Sequence, residues 1–278
     1  MKIFSTWVSV LVLVWPALGY AQCQLLPDTQ LRAVFGGEAR QIAARFRNAG
    51  SESVSAEMRL RLYQTSSATV ALVTENAWKR IELLSGQTVL ETALVNFPAV
   101  RAETAFLIQW VADSNHILGS TRVLVYPTNL LGEMKPLLKD GDLGMLDPDG
   151  AFKPVLTQNG VAFLDLGGKA LEEFSGKLAI IGPFQSRSQM HDGLAQAVRK
   201  MAQRGVAVVW IQPPPEPTDP MVPSFYVVPG GKASVVVVKS DLVIDFSKTP
   251  KSQLNLVYFC RLALNPAPLS LPYLGLQP

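Results

Sequence analysis

Residues 54–62 alternate: Val54, Ala56, Met58, Leu60 and Leu62 share one phase, and Ser55, Glu57, Arg59 and Arg61 share the other. A period of two sends one set of side chains to a core and the other to water, so the segment predicts a strand with one wet face. Ile42, Ala44 and Phe46 repeat the pattern and stop at Asn48-Ala-Gly50, a turn sequence. Phe106, Ile108 and Trp110 alternate before Asp113-Ser-Asn115, with Val123 and Val125 beyond, which predicts a hairpin. Ser85-Gly86 marks a turn between Ile81–Leu83 and Val89–Leu94. Trp110 keeps the phase of the core residues, whereas Tyr63 falls on a polar phase. About seven short strands over residues 24–127 predict an immunoglobulin-like β-sandwich, without the cysteine pair of antibody domains.

The period changes further along. Residues 128–160 read as a connector with a small hairpin, in which Asp147-Pro-Asp-Gly150 joins Leu143–Leu146 to Ala151–Val155. Beyond it, short apolar runs at Val161–Leu164, Leu178–Ile181 and Val206–Ile211 alternate with helical patterns. One covers Lys169–Phe174. Another is capped by Ser188, carries Met190, Leu194, Ala197, Val198 and Met201 on one stripe, and stops at Gly205. Strands at Phe225–Val228 and Val235–Val238 follow, then a helix that opens at Thr249-Pro250 and is apolar nearly all round. Continuous apolar strands alternating with helices predict a parallel sheet buried on both faces, an α/β domain over residues 161–265 with a tail at 266–278.

Composition narrows the function classes. The chain has 278 residues, 48% hydrophobic and 17% charged, with a mean hydropathy of +0.21. Disorder is excluded as the main state, because such a chain can bury a core. A net charge of +3 with no long basic run argues against a nucleic-acid partner. Residues 1–21 read as an export signal: Lys2, the apolar run Ile3–Leu18, then Gly19-Tyr20-Ala21 with small residues at the −3 and −1 positions. The mature chain is then periplasmic, extracellular or in the cell envelope, with no membrane span. Cys23 follows Gln22, which does not suit a lipoprotein cleavage site. It sits in an expected loose terminus, whereas Cys260 lies in an apolar run and reads as a buried thiol.

The segment Gly230-Gly-Lys-Ala-Ser-Val-Val-Val-Val238, then Asp241-Leu-Val243, Pro250-Lys-Ser-Gln-Leu-Asn-Leu256 and Arg261-Leu-Ala263, carries a resemblance. It resembles the closing hairpin and helix of glutamine amidotransferase-like α/β modules, found in secreted bacterial proteins and beside β-galactosidase-type glycoside hydrolases. The resemblance spans residues 130–265 and implies a flavodoxin-like sheet after a β-sandwich, in a protein linked to carbohydrate processing. The family's chemistry needs a cysteine nucleophile at a strand-to-helix turn. Residues 161–230 hold no cysteine, and no Gly-x-Ser-x-Gly elbow replaces it, so the resemblance implies the fold and speaks against an enzyme.

Ligands of open α/β sheets bind beyond the carboxyl ends of the strands. That rule selects Asp165, the loop with Gln185, Ser186 and Arg187, His191, and Gln212 beside a proline run at 213–223. If Ser188 starts a helix, the loop lies at its N-terminus, a place that favours a carboxylate, a phosphate or sugar hydroxyls. Ser186, His191 and Asp165 also admit a serine hydrolase on paper. Asp140, Asp142, Asp147 and Asp149 do not fit the calcium-loop spacing, and two histidines far from two cysteines make no zinc set. No cofactor is expected. Three readings stay open: a non-catalytic binding or assembly module, a small serine-type hydrolase, and a subunit of an envelope protein assembly.

Overall fold

The computed structural model describes residues 23–28, 31–167, 171–184, 186–213 and 224–266. The segment expected to be an export signal, Gln185, most of the proline run and most of the tail lie outside the described residues. The protein is sheet-rich, with antiparallel and parallel pairing and few helices. It divides into two units. One collects Met1–Leu31, Gln41–Val95 and Ala105–Arg122, and the other Arg32–Arg40, Asn96–Thr104 and Val123–Pro278.

The first eight strands are β1 (Cys23–Leu25), β2 (Arg32–Phe35), β3 (Ala39–Asn48), β4 (Val54–Thr65), β5 (Val70–Leu83), β6 (Thr88–Asn96), β7 (Thr104–Ala112) and β8 (His116–Tyr126). They form a three-stranded sheet, β1-β3-β6, and a five-stranded sheet, β2-β8-β7-β4-β5. Strand β2 pairs in parallel with Val123–Tyr126, the end of β8, and both fall in the second unit.

In the first unit the alternating phases of β3, β4 and β7 meet as expected: Ile42, Phe46, Met58, Leu62, Ile108 and Trp110 are all buried. Trp110 stands edge-on to Phe46 and Trp78, with ring centroids 5.4 Å and 5.2 Å away. Its indole N–H donates to Thr121 Oγ1 at 3.0 Å, so its polar end is satisfied in the core. The expected turn at Asn48 is held by that side chain, fully buried. Nδ2 donates to the carbonyls of Leu83 and Leu84, and Oδ1 accepts from the Gly50 amide. On the wet face of β4, Arg61 pairs with Glu75 at 3.0 Å beside the half-buried Tyr63.

Cys23 corrects the expectation of a loose terminus. It begins β1, opposite Asn48, and is buried. Cys260 is fully buried as well; both are free thiols, and burial pushes both above the ordinary thiol range.

The second unit adds β9 (Leu143–Leu146), α1 (Lys153–Gln158), β10 (Leu164–Asp165), β11 (Leu178–Ile181), α2 (Leu194–Arg204), β12 (Ala207–Gln212), β13 (Phe225–Pro229), β14 (Ser234–Lys239) and α3 (Pro250–Leu264). The sheet runs β10-β9-β11-β12-β14-β13, with five parallel strands and β13 antiparallel at one edge. Leu178 and Ile180 pack in one cluster with α1 and α3, whereas Ala179 and Ile181 pack in another with α2. Burial on both faces is why these strands read as unbroken apolar runs. Helix α2 ends at Gly205, whose φ of 104° an L side chain rarely adopts.

Three sequence expectations change here. Leu143–Leu146 is a parallel strand and 153–158 a helix, so no hairpin forms around Asp147-Pro-Asp-Gly150. The aspartate starts the helix instead, and Pro154 in its first turn suits that role. The helix expected from Ser188 begins at Leu194 behind Gly193, and Arg187–Gln189 is a separate three-residue 3-10 turn. The strand expected at 161–164 shrinks to Leu164–Asp165.

At the amino end of the sheet, Asp142 accepts from Lys177 Nζ at 2.8 Å and from the Lys139 amide at 2.8 Å. The Lys177 ammonium, and next the amide, hold this carboxyl below the usual carboxylate range. Because the folded value is the lower one, the stabilisation is complete above the ordinary carboxylate pKa and is lost as pH falls through the lowered value. Asp142→Asn is therefore expected to lower the melting temperature at neutral pH and to close the gap to the native protein at the acid end of a melting curve series. An unchanged gap across the series would remove the ion pair as its cause.

Candidate functional site

Strand order reverses at β9: β10 lies on one side of it and β11 on the other. In an open α/β sheet the crevice beyond the carboxyl ends at such a reversal is where ligands settle. Asp147 follows β9 directly and is 4% exposed. Its carboxylate accepts from the backbone amides of Ala151 at 3.0 Å, Phe152 at 2.8 Å and Lys153 at 2.9 Å, which satisfies the first amides around α1. The next acid, Asp149, accepts from Gln189 Nε2 at 3.2 Å. Across the β10 end, Lys153 Nζ lies 2.8 Å from Asp165 Oδ1, which also accepts from the Gly167 amide.

Strand β11 ends at Gly182, whose amide donates to the Leu146 carbonyl at 2.8 Å. Its φ is 101°, and a Cβ there would stand 2.3 Å from the Ile211 carbonyl oxygen. Only glycine lets the backbones of β11 and β12 come this close. The Gly182–Pro183 peptide bond is cis.

Ser186 caps the 187–189 turn and forms a capping box with Gln189. Its hydroxyl lies 2.7 Å from Ser188 Oγ. Arg187 is exposed. His191 is exposed too, and its Nδ1 lies 3.1 Å from the carbonyl of Asp192. Gln212 ends β12 opposite Lys239 of β14 and is half-buried. Gln185 lies outside the described residues.

The described members of the sequence-derived set therefore follow the carboxyl ends of β10, β11 and β12, yet Asp165, Ser186 and His191 hold separate partners. No hydrogen bond joins Ser186 to His191 among the described residues, and Asp165 is committed to Lys153. The loop also precedes a three-residue turn, which has no long helix dipole to offer an anion. Sequence reasoning missed Asp147, Asp149, Lys153 and Gln189 as members of this end. The Ser186-x-x-Gln189 spacing was the available signal for the cap, and Asp147 seven residues before Pro154 was the signal for a helix start.

Among the described residues no helix is long and apolar enough to cross a membrane, and no group of three or more acids, histidines and cysteines is arranged to hold a metal ion. No family model matches the chain, and no curated protein does. Among solved structures, the Pseudomonas fluorescens alkylpurine DNA glycosylase AlkC gives a TM-score of 0.30 at 9% identity, over 37% of this chain and 30% of its own. The sporulation control protein Spo0M of Bacillus subtilis gives 0.30 at 13%, over 42% and 56%. A β-glucosidase from Listeria innocua gives 0.29 at 12%, over 37% and 16%. The chain thus spans well under two thirds of each of these proteins, and likenesses of this size carry no argument about fold or function.

Proposed function

We propose that this is an exported, non-catalytic binding module: an immunoglobulin-like sandwich followed by an amidotransferase-like α/β unit that has lost the family's chemistry. The observation that supports it is how the polar side chains at the strand ends are used. Asp147, Asp165 and Ser186 cap or pair within the fold, while Arg187, Ser188 and His191 stand exposed beside them without forming a nucleophile–base pair. The one cysteine of this unit, Cys260, is buried in α3 and not at a strand end. A strand-end surface of guanidinium, hydroxyls and imidazole suits an acidic or polyhydroxylated ligand, and the link to carbohydrate processing rests on the sequence resemblance alone.

The test is melting temperature against oligosaccharides, sugar acids and phosphates. A ligand that binds only the folded state raises the midpoint as its concentration exceeds its dissociation constant, by about 2.7 kcal/mol of stability at a hundredfold excess. At least one class is expected to shift the native protein, and Arg187→Ala to abolish that shift. A flat panel would turn the reading towards a protein partner captured from the envelope. A turnover lost in Ser186→Ala would restore the hydrolase. The assembly reading has its own support: Val70, Leu72 and Val73 on β5 and Leu90 and Leu94 on β6 are exposed apolar side chains.

A further inference from the structure

The sheet β1-β3-β6 turns one phase of its strands inward and the other to water, and the outward phase carries cations without acids. On β3, Ile42, Ala44 and Phe46 are buried, which leaves Gln41, Ala43, Arg45 and Arg47 outside. On β6, Ala93 and Val95 are buried, while Leu90, Thr92 and Leu94 are exposed. All of these residues belong to the first unit.

Two backbone bonds fix how the strands meet. The Asn48 amide donates to the Gln87 carbonyl at 2.9 Å and the Phe97 amide to the Glu38 carbonyl at 3.4 Å, so β3 and β6 run antiparallel in one register. That register sets Arg45 opposite Leu90 and Gln41 opposite Leu94, and it pairs the buried Ile42 with the buried Ala93. On the other side of β3, Gln24 stands opposite Arg47. Directly opposed residues share a face, so two guanidiniums about 6.8 Å apart along the strand lie beside leucines that are 67% and 68% exposed.

The charge on this face is uncompensated. No carboxylate belongs to the outward phase of the three strands; Glu91 is on the other phase of β6 and pairs with Lys79. Among the described residues neither Arg45 nor Arg47 has an ion pair or a side-chain hydrogen bond. The wet face of the five-stranded sheet is built differently. There Arg59, Arg61 and Arg80 each lie beside a glutamate, at 3.8 Å, 3.0 Å and 4.0 Å.

Unpaired guanidiniums call for an anionic partner, and exposed leucines between them call for one with an apolar layer. Size decides its kind. From strand rise and spacing the face covers roughly 300 Å², less than half of the about 800 Å² that each partner brings to a stable protein complex. A bilayer conforms to whatever touches it, and its hold grows with apolar area plus attraction to anionic headgroups. We propose that the outer face of β1-β3-β6 rests on an anionic lipid surface. Arg45 and Arg47 engage phosphodiester oxygens, which suit the guanidinium fork, and Leu90 and Leu94 enter the boundary below them. This surface is separate from the strand-end site of the second unit.

Both native thiols are buried, so a polarity-sensitive fluorophore can be placed on one added cysteine in the full chain. Thr92→Cys puts it between the two leucines, and Ser120→Cys puts it on the exposed phase of the other sheet as the reference. The vesicles are phosphatidylcholine alone or an equimolar mixture with phosphatidylglycerol. The label at position 92 is expected to shift to the blue on the mixed vesicles only, the one at 120 to stay, and high salt to reverse the shift. A basic residue near such a surface strengthens partition about fivefold, so Arg45→Gln with Arg47→Gln lowers it about 25-fold. Leu90→Ser with Leu94→Ser lowers it at least tenfold. An equal shift at position 120, an equal shift on phosphatidylcholine alone, or full binding by the arginine variant overturns the proposal. Binding of soluble dextran sulfate with no shift on any vesicle assigns the face to an acidic polymer and overturns it too.

Discussion

Trp110→Ala is expected to destabilise the first unit by about 3–5 kcal/mol, the range for deleting a large aromatic side chain from a closed core. Three losses act together. The ring is fully buried, its edge-on contacts with Phe46 and Trp78 disappear, and Thr121 loses the donor that satisfies its hydroxyl in the core. Urea unfolding followed by circular dichroism is the measurement, and the midpoint should fall steeply with little change of slope. Trp110→Phe retains most of the volume but not the indole N–H, so it should lie between native and alanine. A loss below about 1 kcal/mol for the alanine variant would mean that the cavity collapses, and that the three aromatic rings do not hold this core together.

The second large effect is at the strand ends. Asp147→Ala leaves the amides of Ala151, Phe152 and Lys153 without their acceptor, the Phe152 amide in a buried setting. Charge-assisted bonds of this kind contribute about 1.5–3 kcal/mol each in isolation, and a helix cap about 1. These contributions overlap, so a loss of about 3 kcal/mol is expected in the same denaturation experiment. Asp147→Asn keeps one acceptor oxygen and should lose less. Asp149→Ala, which removes only a contact to the exposed Gln189, is the control and should change stability by under about 0.5 kcal/mol. If Asp147→Ala matches that control, the strand end is not organised around this carboxylate.

The sequence showed strands where one face is wet and helices where a stripe is apolar. Val54–Leu62 was legible because water and core impose a strict alternation, and α3 because nearly every side of it is buried. The pairing of Leu143–Leu146 was misread for the opposite reason. A central parallel strand is buried on both faces and has no alternation, so the only local signal was the Asp-Pro-Asp-Gly that follows it. That signal means a turn by composition, yet here the aspartate reaches forward to the amides of a helix, a bond made visible only by coordinates. Ser186 and Ser188 posed a similar choice. Both suit a cap, and only the reciprocal bond to Gln189 picks the first. Side-chain pairs such as Lys153 with Asp165 join residues twelve apart through the sheet, and no spacing rule reaches them.

The chain passes from one unit to the other five times, after Leu31, Arg40, Val95, Thr104 and Arg122. A single nick in the backbone at any of these places leaves four covalent ties, so limited proteolysis should not release either unit as a free fragment. The order of synthesis is also uneven. Every segment of the first unit has been made once Arg122 has left the ribosome, whereas the second begins at Arg32 and needs the last helix to close. Strand β2 is made early and pairs with residues 123–126, about ninety positions later, so the early part of the second unit must wait for its partners. Folding from the amino end should therefore complete the first unit before the second, which waits for α3, and a ribosome stalled just after Arg122 has emerged should display the first alone.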